Sequence, residues 1–254
     1  MLDAVARTDK GLVRKNNEDA FRLLSDHGIV VLADGMGGHK AGEVASEMAV
    51  QIISDALVTQ LQQAADGGIA PQDWLQQAVS LANQMIFDMS AQFITHRGMG
   101  TTVVAGLFIK NRLLYANVGD SRLYLLRKGR LISLTRDHTM LQSLLDQGAF
   151  RTQYDARVAG ISGSTLTRGV GMSAKVEVDS AEIEVESEDI YLFSSDGLTN
   201  MVTDGMIAAV IQESLSDLPC AADLLLELAL KQGGTDNISL VLARPGMFAS
   251  IRGG

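Results

Sequence analysis

Cysteine and proline are scarce in this sequence. Cys220 is the single cysteine among 254 residues, so no disulfide can form within the chain, which fits a reducing compartment such as the cytoplasm. Leu224 follows Cys220 at helical spacing and predicts a buried helix position for the cysteine. Only three prolines are present, and no proline-rich linker marks a boundary. The sequence therefore predicts a single domain over residues 1–254.

Long apolar runs and excess basic charge are also missing. The apolar stretches are interrupted within about ten residues, short of the roughly 20 that span a bilayer, and the first residues lack the pattern of a signal peptide. The formal net charge is −9, which argues against nucleic acid as a partner because phosphates repel acidic proteins. The acidic excess serves either solubility or the binding of cations.

Hydrophobic periodicity divides the chain into strands and helices. Continuous or alternating apolar residues predict strands, and apolar residues three or four apart predict helices. Before residue 98 the pattern predicts strands at 5–8, 21–24 and 29–33, a helix over 41–65 and a second helix from Trp74 to about Phe93. Trp74 lies on the apolar stripe of that second helix, so it is predicted to pack in the core.

The second part of the chain is richer in strands. Strands are predicted at 101–109, 113–118, 123–126 and 131–134, joined as a β-meander by tight turns, and later at 176–185, 190–194 and 238–243. Helices are predicted at 140–147, 206–215 and 221–230, and residues 148–163 lack periodicity and are predicted to form a surface insertion. Strands joined by hairpins, with the helices segregated, indicate an α+β layered architecture.

Five short segments place acidic residues beside glycine or asparagine near the ends of predicted strands. The segments are 14–19 (RKNNED), 34–38 (DGMGG), 119–122 (GDSR), 195–197 (SDG) and 233–237 (GGTDN). Each alone is typical of an ordinary turn. If the strand ends converge, however, their negative charges need compensation, and divalent cations that prefer oxygen ligands are the natural partners.

These five motifs, in this order, resemble the metal-dependent protein phosphatases, the type-2C serine/threonine phosphatases, and in particular their compact bacterial branch. The resemblance extends from residues 6–11 (ARTDKG) to 235–241 (TDNISLV) and includes MGTT at 99–102, ANVGDSR at 116–122 and LTRDHT at 134–139. It implies a four-layer α-β-β-α sandwich with two central, mostly antiparallel sheets. It also implies a small flap, which would be the insertion at 148–163.

The resemblance further implies a set of metal ligands. Two Mn²⁺ or Mg²⁺ ions would be bridged by Asp34, with the carbonyl of Gly35 and the carboxylates of Asp19, Asp196 and Asp236 as further ligands. Glu18 would act through a metal-bound water. Asp120, together with Asp196, matches the position of a third, more weakly held ion in bacterial members.

A hydrolytic mechanism follows from that ligand set. Two ions about 3.5–4 Å apart lower the pKa of a shared water toward 7, and the hydroxide formed from it would attack phosphorus in line, with no covalent intermediate. Arg14 would bind the substrate phosphate through its charged fork. The expected activity is removal of phosphate from phosphoserine and phosphothreonine in proteins, in opposition to a serine/threonine kinase in bacterial signalling. The expected protein is a cytoplasmic monomer.

Some positions depart from the family pattern or allow two interpretations. Met36 directly follows Asp34-Gly35, where eukaryotic members have a histidine, so His39 is the candidate general acid, with a solvated loop residue as the alternative. Arg168 either contacts substrate or forms a structural salt bridge. Asn200 occupies a position where many relatives have an acid, which weakens the expected third ion. His138 is predicted to support a turn.

Two other functions remain open from the sequence. A catalytically silent relative would bind phosphoproteins or a kinase without hydrolysis, and an intact set of acidic ligands argues against it. A hydrolase of small phosphoesters would share the same metal centre, and only a panel of substrates separates it from a protein phosphatase.

Overall fold

The strands of this protein form two antiparallel sheets. The structure, a computed structural model, describes residues 2–37, 41–65 and 71–246. The first sheet has, in spatial order, β1 (Leu2–Asp9), β11 (Ile238–Pro245), β10 (Ile190–Ser194), β7 (Arg122–Arg127) and β8 (Arg130–Ser133). The second has β2 (Asp19–Leu24), β3 (Ile29–Met36), β5 (Val103–Ile109), β6 (Arg112–Val118) and β9 (Asp179–Glu184), with β4 (Gly100–Thr101) paired to the end of β3.

Helices cover the outer face of each sheet. The second sheet carries α1 (Ala41–Ala65) and α2 (Trp74–Gln92), and the first carries α6 (Asp204–Glu213) and α7 (Leu218–Lys231). Three short helices lie in the connections: α3 (Met140–Asp146), α4 (Gln153–Val158) and α5 (Asp196–Thr199). Single 3₁₀ turns are formed by Pro71–Asp73 and Ile94–His96. In the described ranges, no helix combines the length and apolarity needed to cross a membrane.

Three layers of apolar side chains hold these elements together. The layer between the sheets contains, among others, Leu32, Val104, Leu123, Phe193 and Val241, all fully buried. A second layer joins the second sheet to α1 and α2, and a third joins the first sheet to α6 and α7. The order helix, sheet, sheet, helix confirms the predicted four-layer sandwich. It also explains the apolar character of the central strands, which bury both of their faces.

Most predicted elements are present, but the meander is wrong. β5 and β6 pair as a hairpin, whereas β7 belongs to the other sheet. Residues Gly119–Ser121 therefore carry the chain across from one sheet to the other, with Gly119 at φ +105°. Alternating apolar residues predict strands, but they do not state which sheet a strand joins. The crossing matters because it brings this turn beside the ends of strands from both sheets.

Three smaller predictions also need correction. The strand predicted over 101–109 is divided at Thr102, whose amide donates to the carbonyl of Asp34 (2.8 Å). The insertion at 148–163 is not wholly irregular, because it contains α4, capped by Thr152. Cys220 is exposed: α7 buries a stripe that runs through Leu218, Ala222, Leu225 and Ala229, and Cys220 lies outside it. Trp74 is buried, as predicted.

Candidate active site

Strand ends from both sheets meet at one edge of the sandwich. The start of β2 and the end of β3 come from the second sheet, and the end of β10 and the start of β11 come from the first. The β6–β7 crossing lies between them. A cleft of about 450 Å³ opens here, lined by Arg14, Glu18, Asp34, Gly35, Met36, Gly37, Thr102, Asp120, Ser164, Leu166, Asp196, Asp236 and Asn237.

Asp19 and Asp34 lie directly opposite each other in the β2–β3 ladder. The amide of Asp34 donates to the Thr102 hydroxyl (3.0 Å), and its carbonyl accepts from the Thr101 hydroxyl (2.9 Å). The Ser195 hydroxyl donates to Oδ2 of Asp19 (2.8 Å). Because Ser195 Oγ itself accepts from the Ser239 amide (2.9 Å), its own proton is directed to Asp19. Neighbouring segments thus fix the backbone of Asp34 and the carboxylate of Asp19.

Asp196 and Asp236 come from adjacent strands of the first sheet. Asp196 follows β10 and begins α5, while Asp236 precedes β11. Oδ2 of Asp196 accepts from the side-chain Nδ2 of Asn200 (3.0 Å), and Oδ2 of Asp236 accepts from the Arg14 guanidinium (2.7 Å). Gly197 is needed beside them, since a Cβ at that position would lie 2.0 Å from the carbonyl oxygen of Asn237.

Asp120 reaches the site from the crossing between the sheets. It is buried, and its turn is fixed on both sides. The backbone amide of Gly119 donates to Nδ1 of His138 (3.1 Å), and the Ser121 hydroxyl is hydrogen-bonded to that of Thr102 (2.6 Å). Thr102 therefore connects the Asp34 backbone to the Asp120 turn.

Burial and mutual repulsion raise the pKa values of these carboxyls. Burial raises the pKa of Asp19 to about 7 and that of Asp120 to about 7, and in both cases nearby carboxylates add to the effect. The pKa of Asp34 is raised well above its usual range by burial and by the charges of Asp19 and Asp196. Burial also raises the pKa values of Asp196 and Glu18. Such a group of perturbed acids in a cleft is typical of a functional site.

The loop between β1 and β2 is anchored by one amide side chain. Nδ2 of Asn237 donates to the carbonyls of Lys10 (2.9 Å) and Asn16 (2.8 Å), and its Oδ1 accepts from the amide of Glu18 (2.8 Å). The Glu18 carbonyl in turn accepts from the Gly35 amide (3.0 Å). Asn237 thus fixes the segment that carries Glu18 and the phosphate-binding candidate Arg14.

The chemistry of this donor set fits divalent cations. Among the described residues, no three acidic, histidine or cysteine side chains are already gathered as a metal-binding group. Two buried carboxylate oxygens have no hydrogen-bond partner among the described residues. They are Oδ1 of Asp19 and Oδ1 of Asp196. Such orphaned acceptors are costly, and like charges without a cation repel one another. A bound cation would satisfy both oxygens and draw the carboxylates together.

The predicted site residues fall into three groups. Seven of them line the cleft: Arg14, Glu18, Asp34, Gly35, Asp120, Asp196 and Asp236. Asp19 is opposite Asp34 in the β2–β3 ladder. Arg168 is directed elsewhere, since it forms ion pairs with Asp179 (2.7 Å) and Glu177 (3.0 Å), the structural salt bridge that the sequence left open. His39 lies outside the described residues.

Three supporting residues were not recognised from the sequence. Asn237, Ser195 and Thr102 hold the loop, Asp19 and Asp34 respectively. Each stands inside a motif quoted above. Ser195 and Asn237 also adjoin an acidic residue, whereas Thr102 does not. Their roles depend on partners 68 to 227 positions away in sequence, and no local pattern states such a pairing.

Comparison with known proteins gives consistent matches over nearly the whole chain. Residues 13–218 match the family model described as "Protein phosphatase 2C". The serine/threonine phosphatase stp of Listeria welshimeri is 39% identical over 256 residues, which cover 99% of this chain and 99% of that protein.

Solved structures give the same result. The crystal structure of the Mycobacterium tuberculosis serine/threonine phosphatase PstP/Ppp superimposes with a TM-score of 0.84 at 36% identity, covering 96% of this chain and 98% of the other. A structure of the PstP catalytic domain in complex with two manganese ions gives a TM-score of 0.83 at 36% identity, covering 96% and 97%.

Proposed function

Because this chain belongs to the protein phosphatase 2C family, we propose that it is a metal-dependent phosphatase that hydrolyses phosphoserine and phosphothreonine in proteins. The observation that carries the proposal is the convergence of carboxylates from both sheets on one cleft, with two orphaned oxygens and an arginine at its mouth. The family match and the matched serine/threonine phosphatases support it. The sandwich with its short insertion would form a single catalytic domain, as the sequence predicts.

We propose that the carboxylates hold a pair of Mn²⁺ or Mg²⁺ ions. Asp34, the carbonyl of Gly35 and the carboxylates of Asp19, Asp196 and Asp236 would be ligands, with Glu18 acting through water. Asp120, together with Asp196, would hold a third and weaker ion. When bound, such ions supply a water of lowered pKa and positive charge for the phosphoryl oxygens. The relative solved with two manganese ions supports this assignment.

The role of Arg14 is to bind and orient the phosphate. Its side chain lines the cleft and is held by Asp236 at 2.7 Å. That ion pair keeps the guanidinium at the mouth of the cleft, where its remaining donors can bind two phosphoryl oxygens. Stabilisation of charge on those oxygens in the transition state is usually the largest contribution of such a group.

Asn237 and Ser195 would act by positioning. Asn237 fixes the loop of Arg14 and Glu18. Ser195 donates to Oδ2 of Asp19, so Oδ1 of that carboxylate, which has no hydrogen-bond partner among the described residues, would be available to a cation. His39 remains our candidate for protonation of the leaving hydroxyl. The segment 148–163 would act as a flap beside the cleft, and Ser164 and Leu166, just beyond it, line the cleft wall.

The proposed substrates are phosphoproteins. A cognate serine/threonine kinase is the expected source of the phosphate. We propose that the kinase or its substrates are partners and that the phosphatase works as a monomer.

The decisive experiment measures phosphate release from a phosphothreonine peptide. Wild type is assayed with Mn²⁺ and with EDTA, and Asp34→Asn is assayed with Mn²⁺, with circular dichroism to verify folding. We expect release only from wild type with metal. If folded wild type with Mn²⁺ releases no phosphate, the chain is a silent binding relative or acts on other esters, and p-nitrophenyl phosphate in the same assay distinguishes these two outcomes.

A further inference from the structure

The rim of the cleft contains a loop of unusual composition, residues 10–15, which we call the rim loop. Its sequence is Lys-Gly-Leu-Val-Arg-Lys, with three cations and no acid, in a chain of net charge −9. Arg14 of this loop lines the cleft, so the neighbouring positions border the place where a substrate phosphate would bind.

The rim loop is preformed. Asn237 binds the carbonyl of Lys10 at its start and that of Asn16 just after its end. The amide of Leu12 donates to the carbonyl of Gly234 (2.8 Å), and the amide of Gly11 donates to Oδ1 of Asp9 (2.7 Å). Gly11 has φ +75°, and a Cβ there would lie 2.1 Å from the Asp236 carbonyl oxygen. The backbone therefore needs little ordering when a ligand binds.

The anchored backbone nevertheless presents apolar and basic side chains to solvent. Leu12 is 68% exposed and Val13 is 66% exposed. Lys10 and Lys15 are exposed as well, and within residues 2–37, 41–65 and 71–246 neither forms a side-chain hydrogen bond or an ion pair. Exposed aliphatic side chains are ordinary when scattered. Two adjacent ones on a fixed loop beside a phosphate-binding arginine are placed to contact a substrate.

We propose that the rim loop docks the residues flanking the phosphorylated residue and selects phosphopeptides with acidic and aliphatic neighbours; this proposal rests on the phosphatase function proposed above. An extended peptide advances about 3.3 Å per residue, so side chains one to three positions from the phosphoresidue reach the neighbours of Arg14. Leu12 and Val13 would contact aliphatic side chains, and Lys10 and Lys15 would attract carboxylates.

The test uses three substrates. One phosphothreonine peptide has glutamate and leucine neighbours, a second has lysine and serine neighbours, and p-nitrophenyl phosphate has no neighbours at all. Wild type is compared with Val13→Ser and Lys15→Glu. Lys110→Glu is the matched control, since exposed Lys110 lies in the β5–β6 turn, at the opposite end of β5 from the cleft residue Thr102.

We expect wild type to prefer the glutamate–leucine peptide in kcat/KM. Lys15→Glu should lower kcat/KM on that peptide, relative to p-nitrophenyl phosphate, by about three- to tenfold through KM and should improve the lysine peptide. Val13→Ser should also lower kcat/KM on the glutamate–leucine peptide. Lys110→Glu should leave kcat/KM on both peptides, relative to p-nitrophenyl phosphate, unchanged. The Lys15 effect should shrink at high salt, where exposed charges are screened.

Two kinetic results would overturn the proposal. One is equal kcat/KM of wild type on the two peptides. The other is an equal loss of kcat/KM on the peptides and on p-nitrophenyl phosphate in the rim-loop variants. If wild type hydrolyses none of the three substrates with Mn²⁺, the proposed function fails separately. Binding of fluorescently labelled versions of the two phosphopeptides then decides the docking proposal. If Lys15→Glu weakens binding of the glutamate–leucine peptide selectively, the proposal is supported, and if both peptides bind equally, it is refuted.

Discussion

Nδ1 of His138 accepts a hydrogen bond from the backbone N–H of Gly119 at 3.1 Å. A backbone amide can only donate, so Nδ1 carries no proton, and the proton on Nε2 is donated to Oδ2 of Asp179 at 3.2 Å. Arg168 donates to the other oxygen of that carboxylate (2.7 Å). A chain of contacts thus runs from Arg168 through Asp179 and His138 to the turn that presents Asp120.

Replacement of His138 by phenylalanine should therefore disturb the Asp120 turn. The buried Gly119 amide would lose its acceptor, a cost of about 1–3 kcal/mol in the free energy of unfolding. His138→Asn should retain much of that stability, because an amide oxygen can replace Nδ1 as acceptor. Urea denaturation measures the loss. Equal behaviour of the phenylalanine and asparagine variants would show that the hydrogen bond to Gly119 is unimportant.

Removal of Arg14 should weaken the binding of substrate phosphate. Arg14→Ala is expected to lower kcat/KM by about 10- to 100-fold, since a hydrogen bond to a charged group contributes roughly 1.5–3 kcal/mol. Arg14→Lys should lie between alanine and wild type, because it keeps the charge but loses the planar fork. The matched control is Arg7→Ala, which removes a surface ion pair with Asp223 outside the cleft. Unchanged steady-state kinetics in Arg14→Ala would exclude a role in phosphate binding.

The fold was predictable where burial alone decides it. The pattern of apolar residues predicts central strands such as 29–33 and helices such as 41–65. The sequence does not predict which sheet each strand joins, because Gly119-Asp120 is compatible both with a hairpin turn and with a crossing between sheets. The exposure of Cys220 likewise depends on which stripe of α7 faces the sheet, and Leu218, Ala222 and Leu225 determine that face.

The site was predictable in its acids but not in their supports. Asp34, Asp196 and Asp236 are next to glycine or asparagine at strand ends, and their motifs resemble a known family. The hydrogen bonds of Asn237 to the 10–18 loop and of Ser195 to Asp19 join segments far apart in sequence. Only the three-dimensional arrangement reveals these bonds.

The metal-free protein should lose stability as pH rises. The pKa values of Asp19 and Asp120 are raised to about 7, first by burial, whereas in the unfolded chain both lie near 4. Between those values the folded state binds more protons than the unfolded state, so the free energy of unfolding falls as pH increases from about 4 to 7. Thermal unfolding in EDTA across this range measures the trend.

Mn²⁺ should reverse that trend. A cation replaces the protons on the carboxylates, so its affinity and the stability that it confers should both rise with pH. Asp19→Asn combined with Asp120→Asn should make the pH dependence of stability in EDTA shallower, because neither amide titrates, while the raised pKa values of Asp34 and Asp196 still contribute. If the melting temperature of the metal-free wild type rises steadily from pH 5 to 7, the raised pKa values of Asp19 and Asp120 are contradicted.

Asp189 should be essential for stability although it lies outside the cleft. Its carboxylate is 1% exposed and accepts from the Arg127 fork (2.8 and 2.6 Å), the Tyr191 hydroxyl (2.9 Å) and the Glu186 amide (2.8 Å). Asp189→Ala leaves the Tyr191 hydroxyl and the Glu186 amide without their acceptor, while Arg127 keeps its ion pair with Glu186 (3.3 Å). Because an unsatisfied buried donor costs about 1–3 kcal/mol, the free energy of unfolding should fall by about 2–4 kcal/mol.

A surface ion pair provides the comparison for Asp189. Asp223→Ala removes the exposed partner of Arg7, and its expected cost is small, because exposed ion pairs contribute little to stability. Urea denaturation of both variants measures the difference. Below its unfolding transition, Asp189→Ala should retain the KM of wild type, since no residue of this cluster lines the cleft. If both alanine variants lose the same free energy of unfolding, the donors of Arg127 and Tyr191 form hydrogen bonds with water in place of Asp189.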